Sequence, residues 1–120
     1  MRLLDCNDAS LRLWNDGDAL WSPGVVWLSG DHYQFGEPAW EQARRAPREI
    51  NNRYWHRLST QPLIPALGPA RHTADLVHAH LEALLSGISG DITLAIPGAM
   101  EPGQLSLLLG ILQTLPVTAS

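Results

Sequence analysis

This sequence of 120 residues has no lysine; all eight of its basic side chains are arginine, a bias most simply ascribed to coding preference. Charge is scarce in general, at 17% of residues, below the usual quarter. Twelve acidic residues against eight basic leave a net charge of −4, which gives no electrostatic basis for binding nucleic acid or an anionic membrane surface. Cysteine is nearly missing: Cys6 stands alone, so no internal disulfide can form and a reducing compartment, by default the cytoplasm, fits best. No apolar run approaches the ~20 residues of a membrane span. Asp5 and Asp8 interrupt any signal-like N-terminus. No internal repeat or low-complexity segment is present. What the chain does have is 45% apolar residues, enough for one buried core but not for two lobes and a cleft.

Residues 1–36 read as short strands joined by tight turns. Arg2–Asp5 is apolar and ends in a carboxylate. Ser10–Trp14 alternates, with Leu11 and Leu13 on one side and Arg12 and Trp14 on the other. Asn15-Asp16-Gly17-Asp18 is a hairpin signal, and Ala19–Trp21 pairs back before Ser22-Pro23-Gly24 breaks the ladder. Val25–Leu28 and His32–Phe35 extend the meander. Residues 37–70 read as a helical insert. Pro38 suits a first helical turn, Ala39, Ala43 and Ala46 share a face, and Pro47 stops the helix. Arg48–Ser59 is expected to form a second short helix, and 59–70, with Pro62, Pro65, Gly68 and Pro69, a loop. Residues 71–115 read as helix, strand, helix. Val77, Leu81, Leu84 and Leu85 stripe a helix over 71–86. Asp91–Ile96 alternates as a strand. Leu105, Leu108, Leu109, Leu112 and Leu115 mark a last helix, apolar on most sides, that expects cover on more than one face.

The order of these segments resembles the start of the ATPase domain of the actin-like superfamily, nearest to the seventy-kilodalton heat-shock chaperones. Four stretches carry the resemblance, Arg53–Leu58 being the fourth. Arg2-Leu3-Leu4-Asp5-Cys6-Asn7-Asp8-Ala9-Ser10 matches the first strand, its aspartate and the turn after it. Phe35-Gly36-Glu37-Pro38-Ala39 matches a Val-Gly-Glu-Xaa-Ala helix start. Asp91-Ile92-Thr93-Leu94-Ala95-Ile96-Pro97-Gly98 matches a strand ending in Val-Pro-Ala. The resemblance implies an α/β fold, a ribonuclease H-like mixed sheet with an N-terminal antiparallel meander and flanking helices. It covers nearly the whole chain, apart from 59–70, and makes it a single truncated first-lobe domain. The end at Ser120, directly after an apolar helix, looks like a cut within a larger protein.

The resemblance assigns roles residue by residue. Asp5 falls where the family keeps an aspartate near a hydrated Mg²⁺. Asn7 stands in place of a glycine in the phosphate-wrapping turn. Asp8 stands in place of a hydroxyl residue and puts negative charge where a phosphate would sit. His56, in Arg53-Tyr54-Trp55-His56-Arg57-Leu58, stands where the family has a lysine that contacts the terminal phosphate; a neutral imidazole cannot replace that cation. Against these readings stand an ordinary turn after an edge strand, and a surface or half-buried histidine. ATP and Mg are thus implied as cofactors of a full-length parent, with none expected on this piece alone. Its implied partner is the remainder of its own ATPase domain, with self-association through the uncovered last helix; the client protein is open. The second reading is a degenerate, non-catalytic binding or scaffold module of the same fold, with Trp14, Trp21 and Trp27 as core or as an exposed aromatic patch. His72, His78 and His80 are not spaced for zinc, because an i, i+2 pair faces two ways. Cys6 has no visible activating neighbour.

Overall fold

Alternation in the opening strands decides where the core lies. In the computed structural model, which describes residues 2–6, 10–30, 32–43, 45, 50–55, 57–96 and 100–119 (backbone alone at 64–66), β1 (Arg2–Cys6), β2 (Ser10–Asn15) and β3 (Asp18–Pro23) form an antiparallel meander. Leu4, Cys6, Leu11 and Leu13 are buried on one face, while Asp5, Arg12 and Trp14 are exposed on the other. The β2–β3 turn uses Asp16 at φ 51° and Gly17 at φ 98°, the two positive angles of a type I′ hairpin.

The meander does not run on to residue 36 as one sheet. After Pro23-Gly24, β4 (Val26–Ser29) and β5 (His32–Phe35) leave to build a second sheet, in the order β5-β4-β6, with β6 at Ile50–Asn51. The stretch expected as a helical insert is helical only over α1 (Glu37–Gln42). The expected helix over Arg48–Ser59 is replaced at Ile50–Asn51 by strand pairing with Trp27 and Val26. The expected loop over 59–70 is a hairpin of β7 (Pro62–Leu67) and β8 (Ala70–His72). Both strands of such a ribbon are edges, so prolines are tolerated there. Tyr33 bolts this hairpin to the second sheet: its hydroxyl donates to the Leu67 carbonyl and accepts from Ala70 N–H at 2.9 Å. The hairpin turns at Gly68, φ +65°, where a Cβ would lie 2.9 Å from the Tyr33 hydroxyl.

α2 (Thr73–Leu84) begins where Asp75 accepts hydrogen bonds from the N–H groups of Arg71 and His72. Leu76, Val77, Leu81 and Leu85 face inward. β9 (Gly90–Ala95) then pairs parallel with β1, placing Leu3, Leu4 and Asp5 beside Thr93, Leu94 and Ala95. α3 (Pro102–Leu112) packs beside α2 and buries Leu108, Ile111 and Leu112, leaving Leu105, Leu107 and Leu109 half-buried. Parallel strands need a crossover, and the helix supplies it: beyond α3, β10 (Val117–Ala119), absent from the sequence reading, lies parallel to β9. The completed sheet has the order β10-β9-β1-β2-β3. The core between its inner face and the two helices contains Leu4, Leu11, Leu76, Leu81, Ile92, Leu108 and Leu112, each at most 2% exposed. No described helix is long and apolar enough to cross a membrane.

Candidate functional site

Asp5 sits near the carboxyl end of β1, at the level where β9 also ends; its register neighbours are Arg12 of β2 and Ala95 of β9. Alternation sends it to the face opposite the core, so its carboxylate is exposed. Burial therefore costs this residue nothing, because its carboxylate keeps its water. Asn7, Asp8 and His56, the other expected site residues, lie outside the described residues. Among the described residues no three His, Cys, Asp or Glu side chains converge as a metal cage would require. Cys6 points the other way, into the core. Burial, helped by the charge of Asp5, pushes its thiol up to about 12, so it holds its proton and is no nucleophile at neutral pH.

The most polar point of the interior is a residue that periodicity alone passed over. His80 of α2 is 1% exposed. Its ring stacks on Phe35 with centroids 4.9 Å apart and planes 9° from parallel. Trp55 Nε1 donates to its Nδ1 at 3.0 Å, Tyr54 Oη lies 2.8 Å from the same nitrogen, and Ser22 Oγ lies 2.8 Å from Nε2. An indole N–H can only donate, so Nδ1 is an acceptor and the ring proton sits on Nε2, donated to Ser22. This tautomer has no lone pair facing Oγ. The pair is therefore not the base-and-nucleophile couple of a hydrolase. Its task is to tie β3, β5, α2 and the 54–55 turn together. Burial lowers the His80 pKa to about 4 and raises that of Tyr54. The signal was present: position 80 follows Leu76 and Val77 and precedes Leu84 at helical spacing, inside the apolar stripe. His78, two residues away, faces outward as expected, 4.0 Å from Glu82 and 3.0 Å from Thr114.

A groove of about 580 Å³ opens beside this cluster, with Leu20, Ser22, Phe35, Gly36, His80 and Leu84 in its walls. Gly36, at φ +74°, lets the backbone pass Ser22; a Cβ there would lie 3.1 Å from Oγ. Of the five tryptophans, Trp55 is buried and Trp27 half-buried. Trp14, Trp21 and Trp40 are 41%, 39% and 51% exposed, so the aromatic residues of the meander are divided between core and surface.

No family model matches this chain, and no curated protein matches it by sequence. Among solved structures, a non-polymerising mutant of MamK bound to AMPPNP superposes with a TM-score of 0.64 over 98% of the chain. MamK is an actin-like ATPase. The chain has an actin-like fold. At 13% identity the likeness concerns the fold alone, and the chain spans 39% of the MamK chain. The mixed α/β architecture with its mixed sheet agrees with the expectation drawn from the sequence.

Proposed function

We propose that this chain is the first part of a nucleotide-binding ATPase domain of ribonuclease H-like fold, closest in kind to the heat-shock chaperones, and that alone it does not hydrolyse ATP. One observation carries the reading: Asp5 presents an exposed carboxylate where the parallel strands β1 and β9 end together. Ligands of open α/β sheets bind outside the carboxyl ends of such strands. The actin-like superposition over nearly the full chain supports a nucleotide-binding fold, without bearing on which residues bind.

The residues present fit Mg-nucleotide in a limited way. A single exposed carboxylate suits a Mg²⁺ that keeps its waters, which needs no cage of protein ligands. The ion, when bound, neutralises phosphate charge. Asp5 would orient its water shell, and Arg12, the cross-strand neighbour of Asp5, would supply positive charge on the same face. Asp8 and His56 stand against efficient hydrolysis, the first by repelling phosphate and the second by lacking a fixed positive charge. The remainder of the ATPase domain would supply the opposite wall, consistent with the 39% share of the MamK chain that is matched.

A second reading, a non-catalytic binding module, is favoured by the exposure of Leu20, Trp21 and Trp40. Calorimetric titration with Mg-ATP of the full-length parent, wild type and Asp5→Ala, separates the two. Binding that weakens by roughly tenfold or more, about 1.4 kcal/mol, supports the nucleotide site. Binding heat untouched by the substitution removes Asp5 from it, and no heat at all selects the binding module. Phosphate release by this chain is expected at background.

A further inference from the structure

β3 closes one end of the five-stranded sheet, and the turn before it decides which of its backbone groups are already used. The two-residue Asp16-Gly17 connection makes Asn15 and Asp18 a hydrogen-bonded pair. Such pairs alternate along an antiparallel ladder. Leu20 and Ser22, opposite Leu13 and Leu11, therefore turn their N–H and C=O groups toward β2. Ala19, Trp21 and Pro23 turn theirs outward. Pro23 agrees with this count: it has no N–H to give a ladder, and its carbonyl accepts from Val25 N–H at 2.8 Å. Ala19 and Trp21 are left with two donors and two acceptors that meet no backbone partner among the described residues.

Exposed edges are normally guarded by charge, proline or a covering element. From Ala19 to Ser22 there is no charge, and lysine, the commonest guard, is missing from the whole chain. Leu20 is 53% exposed and Trp21 39%. Trp40 of α1 stands edge-on to Trp21, with ring centroids 6.2 Å apart, and widens the apolar strip.

We propose that β3 pairs antiparallel with β3 of a second copy of this chain, about a two-fold axis passing Leu20. Two outward-facing residues separated by one inward-facing residue are self-complementary. Ala19 faces Trp21 of the second copy and Trp21 faces its Ala19, and each pair exchanges two hydrogen bonds. Centring the axis on Trp21 instead would set Pro23, which has no N–H, against Ala19. Centring it on Ala19 would set Trp21 against Gly17 in the turn. The Leu20-centred register alone uses all four free groups. It also sets Asp18 against Ser22, so no carboxylate opposes another. Leu20 shares a side of the strand with Ser22, at the mouth of the groove lined by Phe35 and Leu84; Leu20 of the second copy roofs that mouth. The surface differs from the last helix, which the sequence had suggested for self-association.

Cross-linking tests both the pairing and its register. Leu20 and its two-fold mate form a non-hydrogen-bonded pair with Cα atoms about 4.5 Å apart, within disulfide reach. The native Cys6 is buried and does not compete. Mild oxidation of Leu20→Cys should give a covalent dimer on a non-reducing gel. Asp18→Cys should not, because its two copies lie four residues apart along the ladder, about 13 Å. Sedimentation equilibrium of the unmodified chain should show monomer and dimer, with Leu20→Lys moving the equilibrium at least roughly tenfold toward monomer. A chain that is monomeric up to about 0.1 mM, a dimer unaffected by Leu20→Lys, or equal cross-linking at positions 18 and 20 would each overturn the proposal.

Discussion

Acidification should destabilise this protein through His80, and the size of the effect follows from its surroundings. The ring is 1% exposed, accepts at Nδ1 from Trp55 and donates at Nε2 to Ser22. Protonating it would set a second N–H against the indole N–H, which cannot turn round to accept. Burial thus lowers its pKa from 6.5 to about 4. Because the folded value is depressed, the unfolded chain binds this proton first as pH falls. The contribution is complete above about pH 6.5, declines through the window and is lost by about pH 4. Each pH unit between the folded and unfolded values is worth ~1.36 kcal/mol. The full span is therefore about 3 kcal/mol, and roughly 2 kcal/mol of it is gone on going from about pH 7.5 to about pH 5. Urea unfolding at these two pH values measures it. The control that isolates this ring is His80→Gln, which can still accept and donate but cannot take a proton in this range. The wild-type stability should fall about 2 kcal/mol further than that of the variant. Parallel losses in the two proteins would show that His80 is not buried as a neutral acceptor, and the tautomer assignment would fail with it.

Gly68→Ala should destabilise by about 1–3 kcal/mol, since it combines a left-handed backbone with a Cβ 2.9 Å from the Tyr33 hydroxyl; thermal or urea unfolding would register it, and an unchanged midpoint would mean that the β7–β8 hairpin is not docked on Tyr33. Cys6, with its thiol pushed up to about 12, should resist maleimide at about pH 8 in the folded protein and react promptly in urea. Rapid labelling without denaturant would contradict its burial. Weakened Mg-ATP binding by the full-length parent carrying Asp5→Ala and selective cross-linking of Leu20→Cys complete the set.

The parts of this fold that were legible in the sequence are those governed by local chemistry. The alternation of Leu11 and Leu13 with Arg12 and Trp14 gave β2 its inner face, and Asp16-Gly17 gave the hairpin. The Val77, Leu81 and Leu85 stripe gave α2, and Ile92 to Ala95 gave β9. The insert was misread because its strands depend on distant partners. Ile50–Asn51 is a strand only because β4 lies beside it, and Pro62 and Pro65 resemble loop residues until a two-stranded ribbon makes both strands edges. β10 escaped notice for the same reason: three residues after a helix have no periodicity of their own. Of the candidate site, Asp5 was placed at the end of its strand correctly, but its exposure was not foreseen. That depends on which face the helices cover.

Composition and spacing by themselves determined a one-core chain of strands and helices, its opening hairpin and the position of Asp5 near a strand end, because strand alternation, turn angles and helical stripes act over a few residues. Tertiary structure alone decided that β1 and β9 end side by side, that His80 is the neutral knot joining sheet to insert, and that β3 lies at the edge of its sheet. Those outcomes depend on contacts between residues tens of positions apart, and short-range patterning holds no information on which distant segments will meet.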